Sequence, residues 1–253
     1  MKVVLLGTGT GVVVKERGYA GLYVRAAGRH LLFDAGPGTL RQLARVGVTS
    51  LDLDAVFLTH FHPDHCLDLV SILFAMRMPH PARTKPLTVY GPKGLRLLYR
   101  RLHTAFHGWI APRAYRLTLE EIGETTLRLP GYTVQTRRMR HGTAALGYRL
   151  ETGGRSLAYS GDTDMCPGIE ALGRGADLLI LECSAPDELK VAGHLTPSEC
   201  GRIARQAGCR HLALTHFYPV FQGYDIRGRV RKAFGGRVTL ARDFQAFTLT
   251  SLT

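Results

Sequence analysis

The chain has 253 residues, 45% of them hydrophobic, and a formal net charge of +13. That apolar share supports a sizeable core, but no apolar run approaches the roughly 18 residues of a membrane span, and the N-terminal run is too short for a secretory signal. No membrane association and a cytoplasmic location are therefore expected. Five scattered cysteines without CxxC spacing argue against a disulfide framework, and the charge, with 27 of 33 basic residues arginine, points to anionic partners.

Strands are expected at Lys2–Leu6, Gly21–Arg25 and Arg29–Phe33, the last entering Asp34-Ala35-Gly36-Pro37-Gly38 and a helix over Thr39–Val46. The strand Ala55–Leu58 then delivers His60-Phe61-His62-Pro63-Asp64-His65. Neutral imidazole and ionised carboxylate are the ligands that zinc and similar divalent ions take. The spacing of His60 and His62 sends two side chains to one side of an extended segment. Asp64 and His65 return from the next stretch, leaving room for a second ion. One histidine on an apolar face is usually a core residue; three in six positions beside an acid point to metal. Cys66, next in the chain, is expected to pack beneath the site as a small buried side chain.

A helix is expected over Cys66–Met78, ended by Pro79, then a strand at Leu87–Tyr90 and a helix from Gly91-Pro92-Lys93-Gly94 through His107. Strands follow at Thr125–Leu129, Thr133–Met139, Ala145–Glu151 and Ser156–Ser160, with Gly153-Gly154 as a hairpin turn. Ala176–Leu181 and His211–Leu214 read as buried strands. Thr196–Gln206 reads as a helix with Thr196 at its N-cap and Pro197 at its first position. A helix near Asp225–Phe234 and strands at Arg237–Leu240 and Ala246–Leu249 close the chain. Leu58-Thr59-His60-Phe61-His62-Pro63 is echoed by Leu214-Thr215-His216-Phe217-Tyr218-Pro219, so one domain over residues 1–253, built from two similar halves, is expected.

Four further polar residues fall where strands end: His141, Asp162, His194 and His216. With the cluster they make six histidines and two aspartates, enough for two ions if one carboxylate bridges them. His30, His80, His103, His107 and His211 fit no motif and are expected on the surface or on helices. Of the basic clusters, Arg137, Arg138 and Arg140 lead into His141 and are the best placed to face a substrate phosphate.

These motifs resemble the metallo-β-lactamase superfamily, and within it the ribonuclease Z branch. The carriers are the HxHxDH run from His60 to His65, the DxGxG turn from Asp34, and His141 followed by Gly147-Tyr148. Ser160-Gly161-Asp162-Thr163, Gly193-His194-Leu195-Thr196 and Leu214-Thr215-His216-Phe217 complete the set. The resemblance implies a four-layered αββα sandwich of α/β class. It implies that His60, His62 and His141 hold one ion, that Asp64, His65 and His216 hold the other, and that Asp162 bridges. Zinc is implied, with manganese or iron as alternatives. A water between two such ions becomes hydroxide near neutral pH and can attack phosphorus. The catalytic set is then His194, Asp64 and Glu182, with His194 as proton donor to the leaving oxygen and Glu182 as its orienter. Relatives in the branch are commonly homodimers, and the same association is implied here.

Long-form members carry a tRNA-gripping arm between the ligands matching His141 and Asp162, where this chain has room only for two strands and a hairpin. The expected function is a dinuclear phosphodiesterase, an endonuclease of ribonuclease Z type acting on RNA or on a small phosphodiester. The alternative is a hydrolase of aryl sulfates, lactones or thioesters on the same site. A non-catalytic RNA binder is disfavoured because no ligand position is missing, and a redox di-iron role because carboxylates are too few.

Overall fold

A computed structural model describes residues 1–142 and 144–250. The strands are β1 (Lys2–Gly7), β2 (Gly21–Ala26), β3 (Arg29–Phe33), β4 (Ala55–Phe57), β5 (Leu87–Gly91), β6 (Leu117–Glu121) and β7 (Thr125–Leu129). They continue with β8 (Tyr132–Arg138), β9 (Leu146–Thr152), β10 (Arg155–Tyr159), β11 (Leu178–Glu182), β12 (His211–Thr215), β13 (Arg237–Leu240) and β14 (Ala246–Thr248). The helices are α1 (Thr39–Arg45), α2 (Pro63–Cys66), α3 (Leu69–Met76), α4 (Leu95–Ala105), α5 (Pro167–Gly173), α6 (Pro197–Ala207) and α7 (Ile226–Arg231).

The strands form two seven-stranded sheets, ordered β14-β1-β2-β3-β4-β5-β6 and β13-β12-β11-β10-β9-β8-β7. Each is antiparallel through its hairpins and parallel where helices cross over, from β3 to β6 in one and from β10 to β13 in the other. This shared plan is the structural counterpart of the sequence echo.

Strand pleating decides which residue enters which layer. Val3, Leu5, Phe33 and Phe57 meet Val134, Tyr148, Leu150 and Ile180 between the sheets. Val4, Leu6, Leu32 and Val56 turn the other way, onto Leu43, Ile72 and Leu73 of the first set of helices. Leu179, Leu181, Leu212 and Leu214 likewise pack on Leu172, Ile203 and Val230. The central strands are covered on both faces and so read as unbroken apolar runs. The result is the αββα sandwich.

Several expectations need correction. The helix expected over Cys66–Met78 is α3, Leu69–Met76, with Cys66 closing the separate turn α2, and Asp68 between them is tied to the turn that follows β3. Its amide donates to Ala35 O and its carboxylate accepts the Leu40 amide. Strand β6 and helix α5 were not anticipated: β6 is an amphipathic edge strand, and α5 is a short segment opening on Pro167-Gly168. His211 is not a surface residue. It begins the interior strand β12, is buried, and bonds Thr239 Oγ1 at 2.9 Å. The Gly153-Gly154 hairpin forms with both glycines at positive φ, 55° and 70°. Thr196 caps α6 in a reciprocal box with Glu199. Among the described residues no helix is long and apolar enough to cross a membrane.

Candidate metal centre

The sequence-predicted ligands converge at one end of the cleft between the sheets. β4 ends at Phe57, and the chain runs on extended through His60 to His62, which stands at the N-cap of α2 with Pro63 at the first helical position. Asp64 and His65 project from that single turn. His141 follows β8, Asp162 follows β10, and His216 follows β12.

Two donor groups result: His60, His62, His141 and Asp162; and Asp64, His65 and His216. Asp162 stands between them with one oxygen toward each. Its Oδ2 lies 3.8 Å from both His60 Nε2 and His141 Nε2. Its Oδ1 lies 3.3 Å from His65 Nε2 and 3.4 Å from His216 Nε2. Asp64 Oδ2 is 3.6 Å from His216 Nε2.

The donor chemistry tests whether cations fit. His65 Nε2 faces His216 Nε2 at 3.2 Å, and His141 Nε2 faces His62 Nδ1 at 3.1 Å. Facing lone pairs on neutral imidazoles repel, yet two nitrogens about 2.0–2.1 Å from one tetrahedral ion lie roughly 3.3–3.4 Å apart. His60 Nε2 and Asp162 Oδ1 are sealed from solvent without a hydrogen-bond partner, which is costly unless something else satisfies them. Burial and the neighbouring imidazoles His65, His141 and His62 push His60 down to about 2, keeping it neutral as a ligand must be. The residues suit divalent metal.

The far nitrogens of His60, His65, His141 and His216 are occupied, which turns the near ones inward. Asp34 Oδ2 holds His65 Nδ1 at 2.8 Å and accepts the Tyr159 hydroxyl, while its Oδ1 accepts Thr59 N–H and Oγ1–H. Thr59 Oγ1 contacts His60 Nδ1 at 3.0 Å, and Ser184 Oγ contacts His216 Nδ1 at 3.0 Å. His141 Nδ1 donates to Gly193 O at 2.9 Å. Asp34 and His216 both sit at positive φ, 57° and 60°. A non-glycine residue in that region costs of order 1–3 kcal/mol, so the surroundings hold both in place.

His194 lies beside the ligands, its ring 4.8 Å from that of His141 and nearly parallel to that of His216. Its Nδ1 is 2.9 Å from Glu182 Oε1. Glu182 is buried at the end of β11, where it also accepts the Thr163 amide and the Ser184 hydroxyl. Burial would lower the His194 pKa, but the bond to Glu182 and its charge outweigh it and raise the group. The loop carrying His194 is clamped by Lys190, whose ammonium donates to His194 O, Asp164 and Glu199. Cys66 is buried under the site, its thiol pushed up to about 12 by burial and the charges of Asp34 and Asp64.

Sequence reasoning assigned no role to Asp34, Ser184 or Lys190. The DxGxG turn was the available signal for Asp34. Ser184 and Lys190 act through chain segments that meet only in the fold. Gly36, in the same turn, has no room for a side chain: a Cβ there would lie 2.1 Å from Asp64 O. Gly36→Ala is expected to cost about 1–3 kcal/mol and to lower metal uptake by pushing α2 off its seat. Urea unfolding beside metal analysis checks it, and wild-type values in both would refute it.

Fold and site together define a metal-dependent hydrolase of the β-lactamase superfamily, whose domain model matches residues 29–217. Ribonuclease Z of Streptomyces coelicolor is 31% identical, the match covering 96% of this chain and 95% of that protein. The chain belongs to the ribonuclease Z family. The short form of human tRNase Z is similar to it at 26% identity and a TM-score of 0.81, with 99% of this chain and all of that one covered. The metallo-β-lactamase fold protein YhfI from Bacillus subtilis has a TM-score of 0.85 at 24% identity over 97% of this chain and 98% of that one, a likeness of fold.

Proposed function

We propose that the protein hydrolyses RNA phosphodiesters as one domain, His60, His62 and His141 holding one zinc ion and Asp64, His65 and His216 the other. The observation that carries this reading is Asp162, buried, with one oxygen toward each donor group. Such a pair of cations, when bound, acidifies a water and neutralises charge gathering on the phosphoryl oxygens. Asp34, Thr59, Ser184 and the Gly193 carbonyl keep the imidazoles in the tautomer and orientation that ligation needs. With Nδ1 engaged by Glu182, His194 presents Nε2–H to the cleft and protonates the leaving oxygen. Both sheets supply ligands, so neither half is a site alone. RNA as substrate is supported by the curated relatives named ribonuclease Z and by the net charge of +13. The cysteines, all free, fit a reducing, cytoplasmic setting.

A panel of precursor tRNA, bis(p-nitrophenyl) phosphate, an aryl sulfate, a lactone and a thioester tests the reading. Turnover of the two phosphodiesters is expected, abolished by chelation and restored by zinc. Preference for the sulfate, lactone or thioester with no diester cleavage would overturn it.

A further inference from the structure

Between His141 and Asp162 the described residues form β9, β10 and their hairpin, and among them nothing corresponds to the tRNA-gripping arm that the resemblance attributes to long-form relatives. Another surface must hold the polynucleotide if this protein cuts RNA. A cavity of about 740 Å³ opens beside His141, between the loop after β5 and the segment joining β8 to β9. Lys93, Arg138 and Arg140 line it, with Ile122 and Ala144 contributing apolar surface.

Pleating selects these arginines from the basic run. Arg138 shares the parity of Tyr132 and Val134, which face the space between the sheets, and Arg140 continues it. Arg137 points the other way and bonds its own strand at Thr136 O. The cavity borders the segments that carry the candidate ligands. Arg140 and Gly142 flank His141, and Phe61, between His60 and His62, packs on the glycines of the opposite loop.

Its cations are not held in salt bridges, although Glu124 accepts the Arg138 amide at 2.9 Å. Among the described residues, Lys93, Arg138 and Arg140 form no ion pair. In the cavity at the β9–β10 hairpin, by contrast, Arg149 pairs with Glu151 at 2.7 Å and Arg155 with Asp177 at 2.8 Å. Glu121 accepts the amides of Gly94 and Arg96 and places one negative charge near Lys93 without an ion pair.

We propose that Lys93, Arg138 and Arg140 form a subsite for the phosphodiester next to the scissile one, occupied by a single-stranded RNA segment. Phosphate oxygens take the cations, and the apolar wall takes a sugar or unstacked base, which a duplex keeps in its stack. The inference rests on the nuclease reading above and gives the substrate a minimum of two consecutive phosphodiesters.

The test compares zinc-loaded wild type with Lys93→Ala/Arg138→Ala/Arg140→Ala on precursor tRNA over a salt series. A short oligouridylate and a blunt RNA duplex serve as competitors. KM is expected to rise at least about 10-fold with kcat within about 3-fold. The log–log salt dependence should become shallower by about 0.7, the share of the one phosphate no longer neutralised. Oligouridylate should inhibit wild type better than the duplex does, and lose that advantage in the variant. Turnover of bis(p-nitrophenyl) phosphate should stay within about 3-fold, a loss that damage to the metal centre would exceed. Lys93→Ala alone, remote in sequence from every ligand, should give part of the KM rise and part of the slope change, which keeps the test decisive if the triple variant misfolds. Unchanged KM and salt slope on RNA would overturn the subsite, as would stronger inhibition by the duplex. Failure of the wild type to cut precursor tRNA would instead overturn the nuclease reading, before any variant is compared.

Discussion

Asp162→Ala protein is expected to bind one divalent ion or none and to show no measurable turnover. The carboxylate is shared: Oδ2 faces His60 and His141, Oδ1 faces His65 and His216, all within 3.3–3.8 Å. Removing it takes an anion from both cation positions and leaves Asp64, beside His65 and His216, as the one carboxylate of the two donor groups. The ions that remain would repel one another across the gap, so the second site should empty first. Elemental analysis of the gel-filtered variant, beside wild type loaded in the same zinc buffer, reads the stoichiometry. Two ions per chain with a normal rate would show that Asp162 bridges nothing.

His194→Ala should keep both ions and lose roughly 10²–10⁴-fold in kcat on RNA, the usual worth of a general acid. The loss should nearly vanish with a p-nitrophenyl ester, since p-nitrophenolate leaves without a proton. An equal loss on both substrates would give His194 a different role. The pH dependence has a defined sign. A general acid must be protonated, so the rate falls as pH rises through its pKa, and Glu182 raises that pKa above the ordinary histidine value of 6.5. In Glu182→Gln the charge is gone while burial still lowers the group. The alkaline limb of the kcat/KM profile should therefore move to lower pH. A limb that stays in place would detach Glu182 from His194.

Much of the site was legible without coordinates because a ligand run is local chemistry. Three imidazoles and a carboxylate between His60 and His65 have one economical explanation, and the Thr-His echo at His216 marks a second strand end of the same kind. Most strand and helix positions followed from apolar runs, glycine turns and the Thr196 cap. The failures are also instructive. The apolar run after Cys66 carries no local signal for a break at Asp68, since that break is made by a carboxylate bonding the Leu40 amide. The amphipathic β6 looks like a loop until β5 pairs with it. His211 has no motif, and its burial comes from strands on either side.

Residue types and their spacing alone determined that this protein gathers imidazole and carboxylate donors at strand ends, because ligand chemistry is a property of side chains. The family resemblance implied that His62 groups with His141 and His65 with His216, and the tertiary structure brings these pairs together across 79 and 151 positions. It alone decided that Asp34 and Ser184 hold the far nitrogens, and that Arg138 and Arg140, but not Arg137, face the cleft. Those outcomes depend on pleat parity and on which loops the two packed sheets bring together, and neither is encoded at any single position.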